Sequence, residues 1–207
     1  MTLATLGALA QLSRNVSDRP IRVIGVSDSA VLSSALRRKF GEHYRNYQFH
    51  EEPFLDLSDV APSMYGTADI VTCSEVLEHV PNPVSGAFRG LASLLVPGGI
   101  AVVSVPHLVT EPHEEHFPPM VGAFVDRSDP DHLAYVGVDQ GGTKRRFTNL
   151  VFHGGEGATL EHRVYNVASL SGELAAAGFS DNYPLMRNHP HFGASWDPWS
   201  RVWIAVR

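Results

Sequence analysis

The sequence predicts an α/β fold, with a mostly parallel β-sheet and helices on both of its faces. Short apolar runs rich in β-branched residues, such as residues 21–26, are typical of strands buried on both sides. These runs alternate with segments of helical periodicity, at the spacing of β-α-β units. We therefore expect one sheet of neighbouring parallel strands joined by right-handed connections.

The chain is predicted to consist of one domain preceded by a short N-terminal segment. Leucines at helical spacing in residues 3–13 indicate a helix, and polar residues then lead to the first strand, so residues 1–20 are interpreted as an N-terminal helix and linker. The domain proper extends over residues 21–207. A chain of 207 residues is long enough to bury a sizeable core in such a domain.

Start and stop signals delimit the elements of this domain. The hydroxyl of Ser29 can cap a helix that extends to Phe40, because it accepts a hydrogen bond from a free amide of the first turn. Pro81-Asn82-Pro83 opens a helix, and Pro97-Gly98-Gly99 turns that helix into the next strand. The remaining predicted elements are strands at 47–55, 68–73, 100–105 and 201–206 and helices at 83–95 and 164–178.

The alternation is lost between residues 106 and 147, which predicts a lid-like loop insertion. Within it, residues 111–116 (EPHEEH) carry imidazoles and carboxylates that suit divalent ions. Prolines beside this segment disfavour a helix, and no His-Glu-x-x-His pattern occurs, so we interpret it as a solvated acidic lid and expect no metal. Gly154-Gly155 lacks the Lys-Ser/Thr of a phosphate loop and indicates a hairpin bend.

Composition narrows the classes of function. Sixteen basic and 22 acidic residues give a formal charge of −6, which disfavours a nucleic-acid partner bound through a broad cationic surface. Cys73 is the single cysteine, which excludes a disulfide framework and a multi-thiolate zinc site. No export signal and no membrane-spanning run is apparent, so we expect a cytoplasmic protein with no membrane partner.

Polar side chains follow three successive predicted strands. Asp28 follows the first, Asp56 the second, and Ser74 to His79 the third. In open parallel sheets ligands bind beyond the carboxyl ends of the strands, so these residues predict a shared site that could hold a ribose, an adenine and an amino-acid tail. The alternative is that each aspartate only caps a helix or turn.

Several stretches of the chain resemble a known family. The segment ADIVTCSEVLEHVPNPVSGAFRGLASLLVPGGIAVVSVP, residues 68–106, resembles the fourth strand, the loop with an acid-His pair, the helix and the Pro-Gly-Gly turn of class I S-adenosylmethionine-dependent methyltransferases. The stretches GVSDS, HEEPFLDLSD, EHFPP, NLVFHGGEGATLEHRV and AAAGF are similar in order and spacing to a bacterial subgroup of that family, one without a recognisable glycine-rich first motif. The resemblance implies a Rossmann-like fold and S-adenosylmethionine as cofactor.

The resemblance also implies roles for individual residues. Asp28 would hold the cofactor ribose, with Ser27 sharing the contact, and Asp56 and Leu57 would border the adenine. His79 would face the methionyl moiety together with Ser74 and Glu75.

The family's Gly-x-Gly-x-Gly loop is absent from this chain. One interpretation places the strand at residue 21 first in the family order, with residues 25–29 replacing that loop. The other interpretation makes the strand at residue 21 the family's second strand, with the family's first strand reduced or lost. The 28-residue step from Asp28 to Asp56 favours this second interpretation. Hydroxyls and backbone donors of Ser27 and Ser29 at a helix start could offset part of the lost anion cradle.

Methyl transfer to a hydroxyl requires a group that accepts the proton, and histidine is tuned for that role near neutral pH. His153 and His116 are the preferred bases because both are expected over the carboxyl edge of the sheet, and His79 is the third candidate. The alternative for each is a histidine that only makes structural hydrogen bonds.

The expected function is transfer of a methyl group from S-adenosylmethionine to oxygen or nitrogen of a small metabolite or sugar, in an enzyme of bacterial biosynthesis. Two alternatives stay open. One is a same-fold enzyme that uses this cofactor for a reaction other than methylation, and the other is a non-catalytic binding or partner protein. The apolar N-terminal helix is suited to packing against a second chain, as in a homodimer.

Overall fold

The computed structural model describes residues 19–108, 112–129, 131–153, 158–185 and 200–207. The helix predicted at residues 3–13 lies outside the described residues.

The described elements alternate between strand and helix in the first half of the chain and are mostly strands in the second. The helices are α1 (Ala30–Phe40), α2 (Ser85–Leu94) and α3 (Val167–Ala176), with short 3-10 turns at Gly41–His43, Leu57–Asp59, Pro62–Met64 and Leu77–His79. The strands are β1 (Val23–Val26), β2 (Tyr44–Tyr47), β3 (Ala68–Ser74), β4 (Leu95–Leu108), β5 (Glu114–Glu115), β6 (Met120–Asp126), β7 (Ala134–Asp139), β8 (Lys144–Phe147), β9 (Phe152–His153), β10 (Thr159–Leu160), β11 (Arg163–Asn166), β12 (Asp181–Pro184) and β13 (Ser200–Val206).

The central sheet has the strand order β12-β13-β4-β3-β1-β2 among the described residues. β2, β1, β3 and β4 are mutually parallel, whereas β13 is antiparallel to β4 and β12 is antiparallel to β13. β11 adds in parallel to the carboxyl end of β4, and β5 pairs with β11. The predicted mostly parallel sheet is thus confirmed. β1 lies directly between β2 and β3, an order that both interpretations of the missing glycine loop allow.

Apolar side chains fill both faces of this sheet. On one face Phe88 and Leu91 of α2 and Leu170 of α3 pack against alternate residues of the strands. On the other face Leu32 and Leu36 of α1 pack against the complementary set. Helices on both faces, as predicted, result from the period-2 alternation of strands that are apolar on both sides.

Two predicted elements have different bounds in the structure. The second strand is Tyr44–Tyr47 instead of 47–55, since the chain turns after Gln48, which bridges to Phe54. Residues 163–166 are strand β11 instead of the start of a helix, because they pair with the end of β4. The helix begins after Asn166, whose side chain accepts a hydrogen bond from the amide of Ser169.

The turn predicted at Pro97-Gly98-Gly99 is an irregularity within β4. The β3–β4 register shifts there, from Ala68 paired with Leu95 to Ile70 paired with Ile100. Gly98 has a φ of 77°, a conformation that glycine adopts without steric cost.

The predicted lid-like insertion at 106–147 is folded and is not an irregular loop. β6, β7 and β8 form an antiparallel three-stranded sheet. Phe117, Tyr135 and Leu160 form its own small apolar core. β9 and β10 pair antiparallel on either side of Gly154-Gly155, as the predicted hairpin requires. The nearly continuous apolar runs of β6 and β7 are the strand signal that the sequence interpretation missed.

No helix of the described chain is long and apolar enough to cross a membrane.

Candidate functional site

The backbone takes an unusual conformation where β1 and β3 end. Ser27 follows β1 with a φ of 54°, and Glu75 follows β3 with a φ of 53°. Left-handed conformations are uncommon outside glycine, and such residues cluster at functional sites. Val26 and Cys73 are paired in the sheet, so the two left-handed residues lie at the same edge. We call this edge, formed by Ser27, Ser74 and Glu75, the rim.

Asp28 does not face the rim, which corrects its predicted place there. Its side chain is buried, and its Oδ2 accepts hydrogen bonds from the Tyr44 hydroxyl at 2.9 Å and the Thr72 hydroxyl at 2.6 Å. Burial raises the pKa of Asp28 to about 6, against the effect of these two hydroxyls. In this conformation the Asp28 carboxylate links β2 to β3 through these hydrogen bonds and does not offer two oxygens to a ribose.

Gly25 explains how the Asp28 carboxyl reaches this position. A Cβ at residue 25 would lie 2.3 Å from Oδ2 of Asp28 and 2.7 Å from the Tyr44 hydroxyl. Only glycine leaves that space over the strand. Asn46 holds the backbone of Asp28 from both sides, accepting from its amide at 3.0 Å and donating to its carbonyl at 2.9 Å.

Asp56, Leu57 and Ser29 are engaged in local structure. Asp56 caps the 3-10 turn Leu57–Asp59 by accepting from the amide of Ser58 at 2.7 Å, and Leu57 is buried. Ser29 caps α1 through a hydrogen bond from the amide of Leu32. Asp56 thus caps a turn, as the alternative interpretation of this aspartate stated, and Ser29 caps the helix that it was predicted to cap.

Ser74 and Glu75 form a polar network at the rim. The hydroxyls of Ser74 and Ser104 lie 2.7 Å apart, and Ser104 donates to Oε1 of Glu75 at 3.0 Å. Ser74 is half-buried and Glu75 is exposed. These groups are available to a ligand bound beyond the carboxyl ends of β3 and β4.

The three predicted histidines converge on two buried glutamates. Glu161 accepts from His116 Nε2 at 2.8 Å and from His153 Nε2 at 2.7 Å through its two oxygens. Glu78 Oε1 lies 3.6 Å from His153 Nδ1 and 3.5 Å from His79 Nε2. The rings of His79 and His153 are 4.7 Å apart, edge to face. We call these five residues the His-Glu cluster.

Backbone hydrogen bonds hold the His-Glu cluster together. The amide of His162 donates to the carbonyl of Glu78 at 2.8 Å, and the amide of His116 donates to the carbonyl of His162 at 2.9 Å. Three separate segments, the turn after β3, the residues after β5 and the strand pair β9–β10, are thereby tied to one another.

Arg163 fixes the turn that carries Glu78 and His79. This fully buried guanidinium donates to the carbonyls of Leu77 and Val80 and to the carboxylate of Glu115 at 2.8 Å. A planar group with five donors can satisfy several acceptors at once. The orientation of the His79 turn therefore depends on a residue of β11.

Burial and proximity shift the protonation of the cluster. Burial raises the pKa of Glu78 to about 7, against the effect of the neighbouring His153. The Glu78 carboxylate, with Glu161 adding to its effect, raises the pKa of His153 to about 9. Burial lowers the pKa of His79. Strongly perturbed pKa values in neighbouring groups cluster at functional sites.

The sequence interpretation did not single out Glu78, Glu161 or Arg163 as functional residues. Two signals pointed to them: Glu78 is the acid of the acid-His pair, and Glu161 and Arg163 flank His162 directly after the Gly154-Gly155 bend.

A family model described as a methyltransferase domain matches residues 11–181. The chain belongs to this methyltransferase family. The match confirms the resemblance to class I S-adenosylmethionine-dependent methyltransferases, and S-adenosylmethionine is the cofactor of the family.

Curated relatives match this methyltransferase over a limited segment. The ubiquinone biosynthesis O-methyltransferase of Vibrio parahaemolyticus is 51% identical over 43 residues, which are 21% of this chain and 18% of the relative. The enzyme of the same name from Aeromonas salmonicida is 31% identical over 93 residues, 45% of this chain and 37% of the relative. The matches thus span less than two fifths of the relatives' length.

Solved structures resemble this methyltransferase over nearly its whole length. Burkholderia thailandensis 1,6-didemethyltoxoflavin-N1-methyltransferase is 16% identical with a TM-score of 0.53, covering 97% of this chain and 76% of that one. A sugar N-methyltransferase from Streptoalloteichus is 14% identical with a TM-score of 0.55, covering 99% and 86%. At such identities the likeness establishes the fold, and it confirms the Rossmann-like prediction.

The rim of this methyltransferase fits its cofactor at some of the predicted positions. Ser27 and Ser74 are partly exposed and Glu75 is exposed at the carboxyl ends of the central strands, and they offer two hydroxyls and a carboxylate. Asp28, with its carboxyl buried, does not fit the ribose in this conformation.

Proposed function

We propose that this protein transfers the methyl group of S-adenosylmethionine to oxygen or nitrogen of a small metabolite or sugar, and that the His-Glu cluster is its acceptor-side active site. One observation carries the proposal: His79, His116 and His153 come from distant segments and meet around two buried carboxylates. Structural histidines that only satisfy local hydrogen bonds have no reason to gather in this way.

The cofactor is assigned to the rim. S-adenosylmethionine, when bound, supplies an electrophilic methyl group on its sulfonium. In our proposal Glu75 and the hydroxyl of Ser74 bind the methionyl ammonium, and Ser27 contacts the ribose. Asp56 and Leu57 border the adenine, and the capping role of Asp56 keeps that turn in place.

The His-Glu cluster is assigned the proton of the acceptor. As the methyl–sulfur bond breaks and the bond from methyl to the acceptor forms, the acceptor loses its proton to an imidazole. His153 and His116 share Glu161, so a proton gained by either imidazole is stabilised by that carboxylate. Because the pKa of His153 is raised to about 9, His153 accepts a proton only in its neutral form, whose share grows as the pH rises toward 9. This is the orienting arrangement that general-base histidines need.

Support for the acceptor class comes from the names of relatives and structural neighbours. They include an O-methyltransferase of ubiquinone biosynthesis, an N1-methyltransferase and a sugar N-methyltransferase. These three names describe transfer to oxygen or nitrogen, and a carbon methyltransferase, CurJ, is similar in fold with a TM-score of 0.52.

Two measurements test the proposal. First, calorimetry with S-adenosylhomocysteine is expected to give saturable 1:1 binding, and no heat at millimolar ligand would overturn the cofactor assignment. Second, the protein is incubated with S-adenosylmethionine and a panel of phenols, amines and amino sugars, and mass spectrometry measures S-adenosylhomocysteine and methylated product together. Cofactor consumption without a methylated product would support a different reaction and refute the proposal.

Variants of the cluster separate binding from turnover. His153→Ala is expected to lower turnover by roughly 10²–10⁴-fold, the usual contribution of general-base catalysis, with S-adenosylhomocysteine affinity unchanged. The matched control is His132→Ala, which removes an exposed imidazole bonded to Asp129. Equal turnover in the two variants would contradict the role of His153.

A further inference from the structure

Glu78 is the most unusual group of the His-Glu cluster. Its side chain is fully buried, and neither carboxylate oxygen has a hydrogen-bond partner among the described residues. A buried carboxylate without a donor costs several kcal/mol of folding free energy unless a cation is close. The groups that face it are two imidazole nitrogens, at 3.5 and 3.6 Å, too far for hydrogen bonds.

Hydrogen bonds elsewhere orient both of those imidazoles toward Glu78. His79 Nδ1 lies 2.9 Å from the carbonyl of Leu160, and His153 Nε2 lies 2.7 Å from Glu161. A carbonyl and a carboxylate are acceptors only, so each of these nitrogens carries the hydrogen. The other nitrogen of each ring, which faces Glu78, is left with a free lone pair when the ring is neutral.

This is the arrangement of metal-binding histidines. A ligating imidazole typically donates its second ring hydrogen to a carboxylate or backbone carbonyl, which fixes its tautomer. Here both kinds of acceptor are present, one for each histidine. One ligand atom from each of Glu78, His79 and His153 lies within 4.8 Å of the others.

From this geometry we infer that Glu78, His79 and His153 form a binding site for a divalent first-row transition-metal ion, best matched by zinc. The ligand atoms are a carboxylate oxygen of Glu78, Nε2 of His79 and Nδ1 of His153. With the ion bound, His79 and His153 are ligands, so His116 is the imidazole of the cluster left to accept the proton of the acceptor. Metal binding itself is measured separately from methyl transfer.

The distances select the class of metal. Ligands about 2.0–2.2 Å from a tetrahedral zinc ion lie about 3.3–3.6 Å from one another, which matches the distances from Glu78 to the two nitrogens. Octahedral magnesium, at about 2.0–2.1 Å, would bring neighbouring ligands to about 3 Å and favours oxygen ligands. Imidazole ligands also favour zinc, cobalt and iron over magnesium and calcium.

The charges of the cluster agree with a bound divalent ion. Glu78 and Glu161 are both buried, so their two negative charges require compensation. A divalent cation that displaces the proton of His153 balances them, with both imidazoles in the neutral form that binds metal. Three protein ligands leave a fourth position open, which is the pattern of catalytic zinc sites.

The site differs from the one that the sequence suggested and dismissed. Within residues 111–116, His113 and Arg163 share Glu115, and His116 bonds Glu161. These side chains are occupied by hydrogen bonds and ion pairs, whereas the Glu78 oxygens are not.

Zinc binding by the full chain tests the inference. The protein is stripped with a chelator and dialysed, and zinc chloride is then titrated by calorimetry. We expect one zinc ion per chain, bound more tightly than magnesium. Cobalt chloride is expected to give the intense visible absorption of a tetrahedral site. Lack of saturable zinc binding, or tighter binding of magnesium, would overturn the inference and leave the cluster as a network of ion pairs.

Substitutions locate the ion. Glu78→Gln, His79→Asn and His153→Asn are each expected to weaken zinc binding by about 100-fold or more, and Glu161→Gln by the roughly 10–100-fold typical of groups that orient a ligand. His113→Asn and His132→Asn are matched controls that are expected to bind zinc like the parent protein. Circular dichroism confirms that each variant is folded. If His113→Asn abolished binding and His79→Asn did not, the ion would belong to the acidic segment and the inference would be wrong.

Metal binding and methyl transfer can fail separately in these measurements. Zinc bound at the cluster without any S-adenosylhomocysteine formation would uphold this inference and not the proposed function. If chelator-treated protein transfers methyl groups and binds no zinc, the proposed function would stand and the metal site would be refuted.

Discussion

Replacing Gly90 with alanine is expected to destabilise the protein, although glycine to alanine in a helix usually does the reverse. Gly90 lies in α2, where the helix packs against the turn at Leu57–Asp59. An ideal Cβ at residue 90 would lie 1.8 Å from the carbonyl oxygen of Leu57 and 2.9 Å from Cγ2 of Val60. Because the first of these atoms belongs to the backbone, a rotamer change cannot relieve the contact.

The magnitude follows from the size of that overlap. The Leu57 oxygen would have to move about 1.6 Å to reach an ordinary contact of 3.4 Å. Overpacking typically costs about 1–3 kcal/mol and occasionally more, and a backbone clash belongs at or above the top of that range. Helix propensity returns about 1 kcal/mol. The expected net loss is about 2 kcal/mol or more, which lowers the melting temperature by roughly 4–8 °C in a chain of this size.

Urea denaturation followed by circular dichroism measures the effect, and two glycines serve as controls. A Cβ at Gly86, also in α2, would have its nearest neighbours at 3.9 Å, and one at Gly172 in α3 would meet nothing within 4 Å. Alanine at either position is expected to be neutral or to stabilise by up to about 1 kcal/mol. A Gly90→Ala protein as stable as Gly86→Ala would show that the helix does not pack this closely on the Leu57 turn.

Three other substitutions or treatments have defined outcomes. Burial raises the pKa of Asp28 from 3.8 to about 6, so this carboxyl ionises at a lower pH in the unfolded chain than in the folded protein. The folded protein is therefore expected to lose stability as the pH rises from about 4 to 6. Urea melts are expected to show that Asp28→Asn, which has no ionisable group there, gains about 3 kcal/mol of unfolding free energy relative to the parent protein across that interval. Arg163→Met removes the donor to Leu77 and Val80, with an expected loss of about 3 kcal/mol in the same assay, and Arg163→Lys is not expected to restore it. Cys73 is fully buried and burial raises its pKa well above the usual range, so Ellman's reagent should label it only after denaturation; rapid labelling of native protein would contradict that burial.

The sheet could be predicted because its signal is local. Val23–Val26 and Ala68–Ser74 are each a short apolar run closed by polar residues, and that pattern requires only neighbouring positions. The strands of the insertion were missed because β6 and β7 have exposed positions and were grouped with nearby prolines and acids. β11 was missed because its strand conformation depends on pairing with the end of β4, 58 residues earlier.

The orientation of Asp28 could not be predicted from spacing. Its position after a strand is correct, but the direction of its side chain depends on the left-handed φ of Ser27 and on the space over Gly25. Hydroxyls at Tyr44 and Thr72, on two other strands, complete the site that accepts the carboxyl. The direction of the Asp28 side chain is therefore set by tertiary contacts, which the spacing of residues along the chain does not reveal.

The His-Glu cluster shows a different limit of sequence interpretation. The histidines were chosen for their expected place at one edge of the sheet, and the structure brings all three together. The carboxylates that organise them were not chosen, because Glu78 and Glu161 are 83 positions apart and neither forms a spacing motif with a histidine of another segment. A sequence search for metal ligands favours short spacings, which is why residues 111–116 drew attention and Glu78 did not.

The insertion and the His-Glu cluster depend on each other physically. The turn carrying Glu78 and His79 is held by Arg163 of β11, and β11 also pairs with β5 next to His116. The core of the insertion, Phe117 with Tyr135 and Leu160, packs directly beside these residues. The His-Glu cluster can therefore form only when these strands have folded against the central sheet. In a chain that lacks the usual glycine loop, the acceptor side that we propose depends on residues 112–129, 131–153 and 158–163, while the sheet supplies the rim.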